Sequence, residues 1–284
     1  MKCLVTGGAG FIGTNLIIRL LQDGHDVISF DNYSTGFKDN EQEECRYIDV
    51  DISNEFSWDS RFDVIFHLAA LPRIGPSFKN PNSSVKVNVG GTCNVLDYAR
   101  KRNIPVVYAG TSSVHGGVYK NPYTFTKWQG EELCKMYSRL YDVPTIICRF
   151  YNVYGDHMPY TGEYRTVIPI FLEQKAYNKP LTITGDGEQR RDFTHVEDIV
   201  DALVKSMEAM NGAVDMRYEG LELELGRGEN YSINEVADMF GQNKVYVDSI
   251  PGEVRETLCK SKEARELLDW KPKINLKQWI EEII

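Results

Sequence analysis

Residues 7–13 read G-G-A-G-F-I-G and stand between a short apolar run, K-C-L-V-T at 2–6, and an amphipathic segment from Thr14 to Leu21. Few local patterns restrict a fold so tightly. Strand, glycine-rich turn and helix in direct succession form a βα unit whose helix N-terminus faces an anion at the strand end. Gly8, Gly10 and Gly13 satisfy G-x-G-x-x-G, and Gly7, Gly10 and Gly13 give the variant G-x-x-G-x-x-G. Both allow a tight turn and a close backbone approach to a pyrophosphate. Phe11 and Ile12, between those glycines, belong to the same expected cofactor contact. A second apolar run, D-V-I-S-F at 26–30, ends at Asp31. An acidic residue there accepts ribose hydrogen bonds and repels a 2′-phosphate, which points to NAD over NADP.

The alternation continues through the first half. Tyr47 to Ile52 predicts a strand with Asp51 placed to reach an adenine amino group, and Asp63 to Leu68 predicts another, followed by the small Ala69 and Ala70. A helix is expected over 85–101, a strand over 105–109, a long helix over 123–141 and a strand over 145–150. Strands in buried V/I/L-rich runs alternating with helices imply an α/β fold, a Rossmann-type doubly wound parallel sheet. After about residue 155 proline, glycine and charge rise and the strands shorten. The expected division is therefore an NAD-binding domain over 1–155, to which later segments can return, and a smaller mixed α/β substrate lobe over 156–284.

Composition excludes several classes. The net charge of −9 argues against nucleic acid as a partner. No apolar run reaches the roughly 18 residues of a membrane span, and the N-terminus lacks the shape of a signal peptide. The six cysteines are widely spaced, without C-x-x-C or a Cys/His cluster, so reduced thiols in the cytoplasm and no metal site are expected.

Ligands of such sheets sit off the carboxyl ends of the strands, and residues 111–127, T-S-S-V-H-G-G-V-Y-K-N-P-Y-T-F-T-K, follow one such end. Tyr123 and Lys127 are four apart on the expected helix, so phenol and ammonium share a face. A cation there lowers a tyrosine pKa and makes a general base. In a chain with 16 tyrosines the spacing occurs about once by chance, so its weight comes from the strand ends around it.

Six motifs occur in one family order: T-G-G-A-G-F-I-G, D-N-Y-S-T-G at 31–36, H-L-A-A at 67–70, Y-x-x-x-K at 123–127, R-F-Y-N-V-Y-G at 149–155 and R-D-F-T-H-V-E-D-I at 191–199. On these the chain resembles the extended short-chain dehydrogenases/reductases, and within them the nucleotide-sugar 4-epimerases of the UDP-galactose/UDP-N-acetylglucosamine type. The resemblance implies a tightly held NAD+ and a nucleotide-sugar substrate. Tyr123 takes the proton of the sugar 4-hydroxyl, Lys127 binds the nicotinamide ribose, and Thr111 is the catalytic hydroxyl. It further implies that Asn32, Ile52, Leu68, Asn88 and Tyr151 line the cofactor. Asn152, Val167, Gln189 and Arg191 fall on the substrate side. A homodimer paired through the helices near 88–101 and 123–141 is also implied.

Departures from the family pattern narrow the reaction. Relatives that dehydrate or decarboxylate carry acidic residues directly after the catalytic Thr; here Ser112 and Ser113 stand there, which favours plain epimerisation. The gap from Thr111 to Tyr123 is about half the family's usual length. Ile250 stands where an arginine is common, with Arg255 as the candidate replacement phosphate contact. Thr257, at the hexose gatekeeper position, is small and predicts tolerance of N-acetylated sugars.

Overall fold

In the computed structural model, which describes residues 1–212, 218–249 and 252–284, the apolar runs of the first half become strands with helices between them. They are β1 (Lys2–Thr6), α1 (Phe11–Gln22), β2 (Asp26–Asp31), β3 (Arg46–Asp49), β4 (Val64–His67), α2 (Ile74–Lys79), α3 (Pro81–Ser84), α4 (Thr92–Arg100), β5 (Val106–Thr111), α5 (Pro122–Tyr141) and β6 (Thr145–Phe150). Then follow β7 (Val153–Tyr154), α6 (Val167–Ala176), β8 (Leu181–Thr184), β9 (Arg190–Asp192), β10 (Thr194–His195) and α7 (Val196–Asn211). The chain closes with β11 (Glu219–Leu225), β12 (Asn230–Ser232), α8 (Ile233–Phe240), β13 (Lys244–Val247), α9 (Glu263–Leu268) and α10 (Leu276–Ile283).

Seven strands form one sheet in the order β11-β6-β5-β4-β1-β2-β3, with every pairing parallel. Such strands are buried on both faces, which is why they read as apolar runs without polar alternation. Alternate residues feed two cores. Cys3, Val5, Val64 and Phe66 pack with α1 and α7, while Leu4, Ile65, Tyr108 and Ile147 pack toward α4 and α5. The order reverses between β1 and β4, which opens a crevice at their carboxyl ends where such sheets bind ligands.

Two expected elements come out differently. The strand expected to reach Ile52 stops at Asp49, because the Asp51 carboxylate accepts the Ser53 amide (2.9 Å) and hydroxyl (2.7 Å) and closes a turn. The helix expected over 85–101 is α-helical only from Thr92; residues 85–91 form wider π-helical turns. Gly91 there lets Ile52 in, since a Cβ at 91 would lie 2.8 Å from Ile52 Cδ1.

The second half divides its residues between two bodies. β11 extends the large sheet beside β6, and α7 packs across α1. The remaining elements enclose a third core of Ile168, Phe171, Leu181, Ile183, Val236, Phe240 and Leu276. Asp192, fully buried at the end of β9, ties these segments together by accepting the amides of Arg227 (2.9 Å), Gly228 (2.9 Å) and Cys259 (3.0 Å). Asp192→Ala leaves all three amides without an acceptor at once, and a loss of about 2–4 kcal/mol is expected from these unpaired buried donors. A denaturant midpoint unchanged in that variant would show that water replaces the carboxylate.

Candidate active site

One cavity of about 660 Å³ runs along the carboxyl edge of the large sheet and under the smaller lobe. At the turn after β1, Gly7 has φ +76°, and a Cβ there would lie 2.7 Å from the Ala69 nitrogen. A Cβ on Gly13 would lie 2.2 Å from the Gly7 carbonyl oxygen. Gly8 faces Ser29 and Ile17 on the core side, so Gly7, Gly10 and Gly13 are the set that borders the cavity. α1 begins after Gly10 with no capping side chain, so the first-turn amides of Phe11, Ile12 and Gly13 lack helical partners where they line the cavity. The partial positive charge of this helix end suits a pyrophosphate.

Asp31 ends β2 with one carboxylate oxygen on the Ala9 amide (2.9 Å) and the other on the Tyr33 amide (2.8 Å). Burial pushes its pKa up, and these two amides oppose the shift. Asn32, Asp51 and Ile52 continue the wall on one side, and Leu68, Ala69 and Ala70 on the other. Partial burial works against the Asp51 carboxylate, but the Ser53 hydrogen bonds dominate and hold its pKa low. A glycine cradle that any Cβ would fill, an uncapped helix end and a strand-end carboxylate together fit a dinucleotide.

At the inner end stand Thr111, Tyr123 and Lys127. Asn121 caps α5 by accepting the Thr124 amide (2.8 Å), and Pro122 occupies the first helical position, which fixes where Tyr123 points. Thr111 and Tyr123 both border the cavity, and Thr111 donates to the Ser113 hydroxyl (3.2 Å). Lys127 sets its ammonium 4.2 Å from the centre of the Tyr108 ring, and burial pulls its pKa down to about 8 while the Glu131 carboxylate resists.

The phenol does not follow the expected direction. Burial raises the Tyr123 pKa; the Thr111 hydrogen bond and then the Arg73 guanidinium oppose it. The opposing cation comes from the loop before α2, while Lys127 rests on Tyr108. Beneath the site, Glu131 is fully buried, accepting the Thr111 amide (3.3 Å) and Arg149 Nη2 (2.7 Å). Arg149 continues to Glu224, which His115 also meets at 2.8 Å.

On the lobe side, Tyr151, Asn152, Val167, Gln189, Arg191 and Thr257 all border the cavity. Asn152 donates to the Asp192 carbonyl (3.0 Å) and to Thr257 Oγ1 (3.2 Å), and Arg191 pairs with Glu253 at 2.6 Å. Two expected contacts lie elsewhere. Arg255 is outside the cavity, its exposed side chain paired with Asp186 at 2.8 Å. Asn88 is buried behind the wall, where its amide accepts the Leu71 amide (2.8 Å) and donates to the Leu71 carbonyl (3.2 Å) and Thr126 (3.1 Å). Ile250 lies outside the described residues. Arg73 borders the cavity and has no counterpart among the expected contacts; its only sequence signal is a lone cation five residues beyond Leu68.

A doubly wound sheet with a glycine cradle at its switch point and a Thr–Tyr–Lys group beside it defines an extended short-chain dehydrogenase/reductase. The chain belongs to the NAD dependent epimerase/dehydratase family, whose sequence pattern matches residues 3–218. It is 33% identical, over 99% of its own length and 96% of the relative's, to a putative UDP-glucose 4-epimerase of Methanocaldococcus jannaschii. It is also 32% identical to a UDP-N-acetyl-alpha-D-glucosaminuronate decarboxylase of Bacillus cytotoxicus, over 83% of this chain and 78% of that one. Among solved structures, the UDP-glucose 4-epimerase of Thermotoga maritima with UDP-glucose superposes with a TM-score of 0.90 at 26% identity, covering 99% of this chain and 96% of that one.

Gly13→Ala places a methyl group against the Gly7 carbonyl, so the turn must open. Titration calorimetry with NAD+ is expected to show at least a tenfold weaker Kd, about 1.4 kcal/mol; wild-type affinity would show that the helix end is not the pyrophosphate site.

Proposed function

We propose that this chain interconverts the C4 epimers of UDP-hexoses, taking UDP-glucose and UDP-galactose and also their N-acetylated forms. The observation that carries this reading is one cavity that brings Thr111, Tyr123 and Lys127 together with the glycine cradle, Asp31 and Arg191. Tyr123 is the base that receives the 4-hydroxyl proton, and Thr111 orients that hydroxyl. Bound NAD+ supplies a reversible hydride acceptor. Lys127 is the charged residue on the nicotinamide-ribose side, and Glu131 keeps it protonated against the effect of burial. Arg191 and the N-terminal end of α6, where Arg165, Thr166 and Val167 border the cavity, hold the diphosphate. Residues 156–284 thus contribute chiefly to nucleotide-sugar binding.

Ser112 and Ser113 border the cavity beside Thr111, so carboxylates for elimination are lacking at these two positions. Thr257 turns its hydroxyl to the Asp192 amide (3.3 Å) and to Asn152, leaving the sugar side uncrowded. A second reading, a hexose carrying a carboxylate, is favoured by Arg73, which has no carboxylate partner among the described residues.

The test is a panel of UDP-sugars followed by chromatography. Interconversion of both the plain and the N-acetylated pairs is expected, without net reduction of added NAD+. Turnover of the plain pair alone would overturn the argument from Thr257, and turnover of uronates alone would select the second reading. Tyr123→Phe is expected to lower turnover roughly 10³-fold while cofactor stays bound.

We further infer a homodimer paired through α4 and α5, supported by Met136, Leu140 and Tyr141 standing exposed near the end of α5. Light scattering should give twice the chain mass, and Leu140→Lys should shift it toward the single chain; a monomeric wild type would overturn this.

A further inference from the structure

Residues 111–115 are held at both ends by one group of charges. At the first end the Thr111 amide donates to Glu131 Oε1 at 3.3 Å. At the other, His115 Nε2 meets Glu224 Oε1 at 2.8 Å. Arg149 joins the two carboxylates, with Nη2 2.7 Å from Glu131 Oε2 and Nη1 3.1 Å from Glu224 Oε1. The short helical turn Ser112–Gly116 therefore spans from α5 to β11 across β6. Between its two ends, Thr111 Oγ1 accepts the Ser113 amide at 3.3 Å and donates to Ser113 Oγ at 3.2 Å. Gly116 then meets the smaller lobe: a Cβ there would lie 2.4 Å from Val254 Cγ2, and Val254 borders the cavity, as do Ser112 and Ser113.

The two ends differ in their access to water. Glu131, Arg149 and Glu224 are buried, whereas the His115 imidazole is half exposed. Facing it are Glu224 from β11, Arg149 from β6 and Glu131 from α5, and the Tyr151 phenol just after β6 lies beside Glu224. The bond to Glu224 holds the His115 pKa above the usual histidine value, against the effect of burial. An imidazolium bonded to a carboxylate is charge-assisted and holds about twice as strongly as its neutral counterpart. The firmer grip is therefore present below that pKa and weakens as pH rises through it.

We propose that His115 is a positioning residue for the reaction: through Glu224 it fixes the turn that presents the Thr111 and Ser113 hydroxyls to the substrate, more firmly as imidazolium than as imidazole. The proposal rests on the reading of Thr111 as the group that orients the sugar 4-hydroxyl. It gives the charged network beneath the site a second end at the surface, so that the placement of a catalytic hydroxyl responds to a side chain that water reaches. His115 itself touches neither substrate nor cofactor; it acts through the five residues strung between Glu131 and Glu224.

The experiment uses NAD+-loaded protein in four forms: wild type, His115→Phe, His115→Gln and Thr111→Val. The values of kcat and KM are measured between about pH 6 and 9 with the UDP-sugar of the panel that turns over fastest, and the His115 imidazole is titrated by NMR, its signal identified by its loss in His115→Gln. His115→Phe removes the grip and should lower kcat about fivefold near neutral pH, with KM changed by less than about twofold. Wild-type kcat should decline toward alkaline pH in step with the His115 titration. His115→Gln keeps a neutral donor, so it should match the wild type at alkaline pH and lack the gain below it. A wild-type kcat in His115→Phe overturns the proposal, as does a loss confined to KM or the same alkaline decline in His115→Gln. Full turnover in Thr111→Val would overturn the underlying reading instead.

Discussion

Everything in the molecule is arranged around the approach of two strand ends. The amide of Ala69 after β4 comes so close to Gly7 after β1 that a single added carbon would collide with it. That contact exists because β1 and β4 are parallel neighbours while α1 and the return through β2 lie on the other side. The sheet order reverses there, and the gap between the two strand ends becomes the floor of the cavity. The glycines thin the backbone on one side of the gap, and Ala69 and Ala70 thin it on the other. With larger residues at these positions the same sheet could form, but its edge would be closed to a dinucleotide.

The reacting groups stand on a charged foundation. Glu131 has no exposure to water, yet it holds the Thr111 amide and the Arg149 guanidinium, and Arg149 reaches the β11 carboxylates Glu222 and Glu224. A buried pair of this kind adds little net stability, but loss of one partner would strand the other charge in a low dielectric. Its effect is geometric. It locks the end of β5, the third turn of α5 and the edge strand β11 into one relation beneath Thr111. His115 joins the same carboxylate from the short turn after Thr111. That contact anchors the turn downward, toward the edge of the sheet.

The large sheet was legible because its strands are buried on both faces and its turns carry glycine. The motif residues were legible because their chemistry is local: Gly7, Gly13 and Asp31 act where the chain itself brings them. Asn88, Arg255 and Arg73 were not. Asn88 points away from the cavity because π-helical turns rotate it toward Leu71, and nothing in V-K-V-N-V-G-G announces that widening. Arg255 is drawn off by Asp186, distant in sequence, in a contact that pattern reading does not reach. Arg73 is aimed by the Tyr164 carbonyl from the far side of the cavity and by a left-handed backbone that its residue type does not advertise. The Tyr123 shift failed for the same reason: helical spacing places Lys127 on the right face, but Tyr108 decides where its ammonium rests.

The late strand β11 carries a consequence for how the chain reaches this state. Its residues pair with β6 from Thr145 to Phe150, and the loops and helices of the smaller lobe lie between them in sequence. Until that long connection has organised itself, β6 is an open edge with unpaired amides and carbonyls. Non-local pairings of this kind are slow to form because the loop must be closed before any contact compensates. A nascent chain that ends near residue 155 would therefore present an adhesive sheet margin, and the smaller lobe acts, before any substrate arrives, as the spacer that brings in its cover.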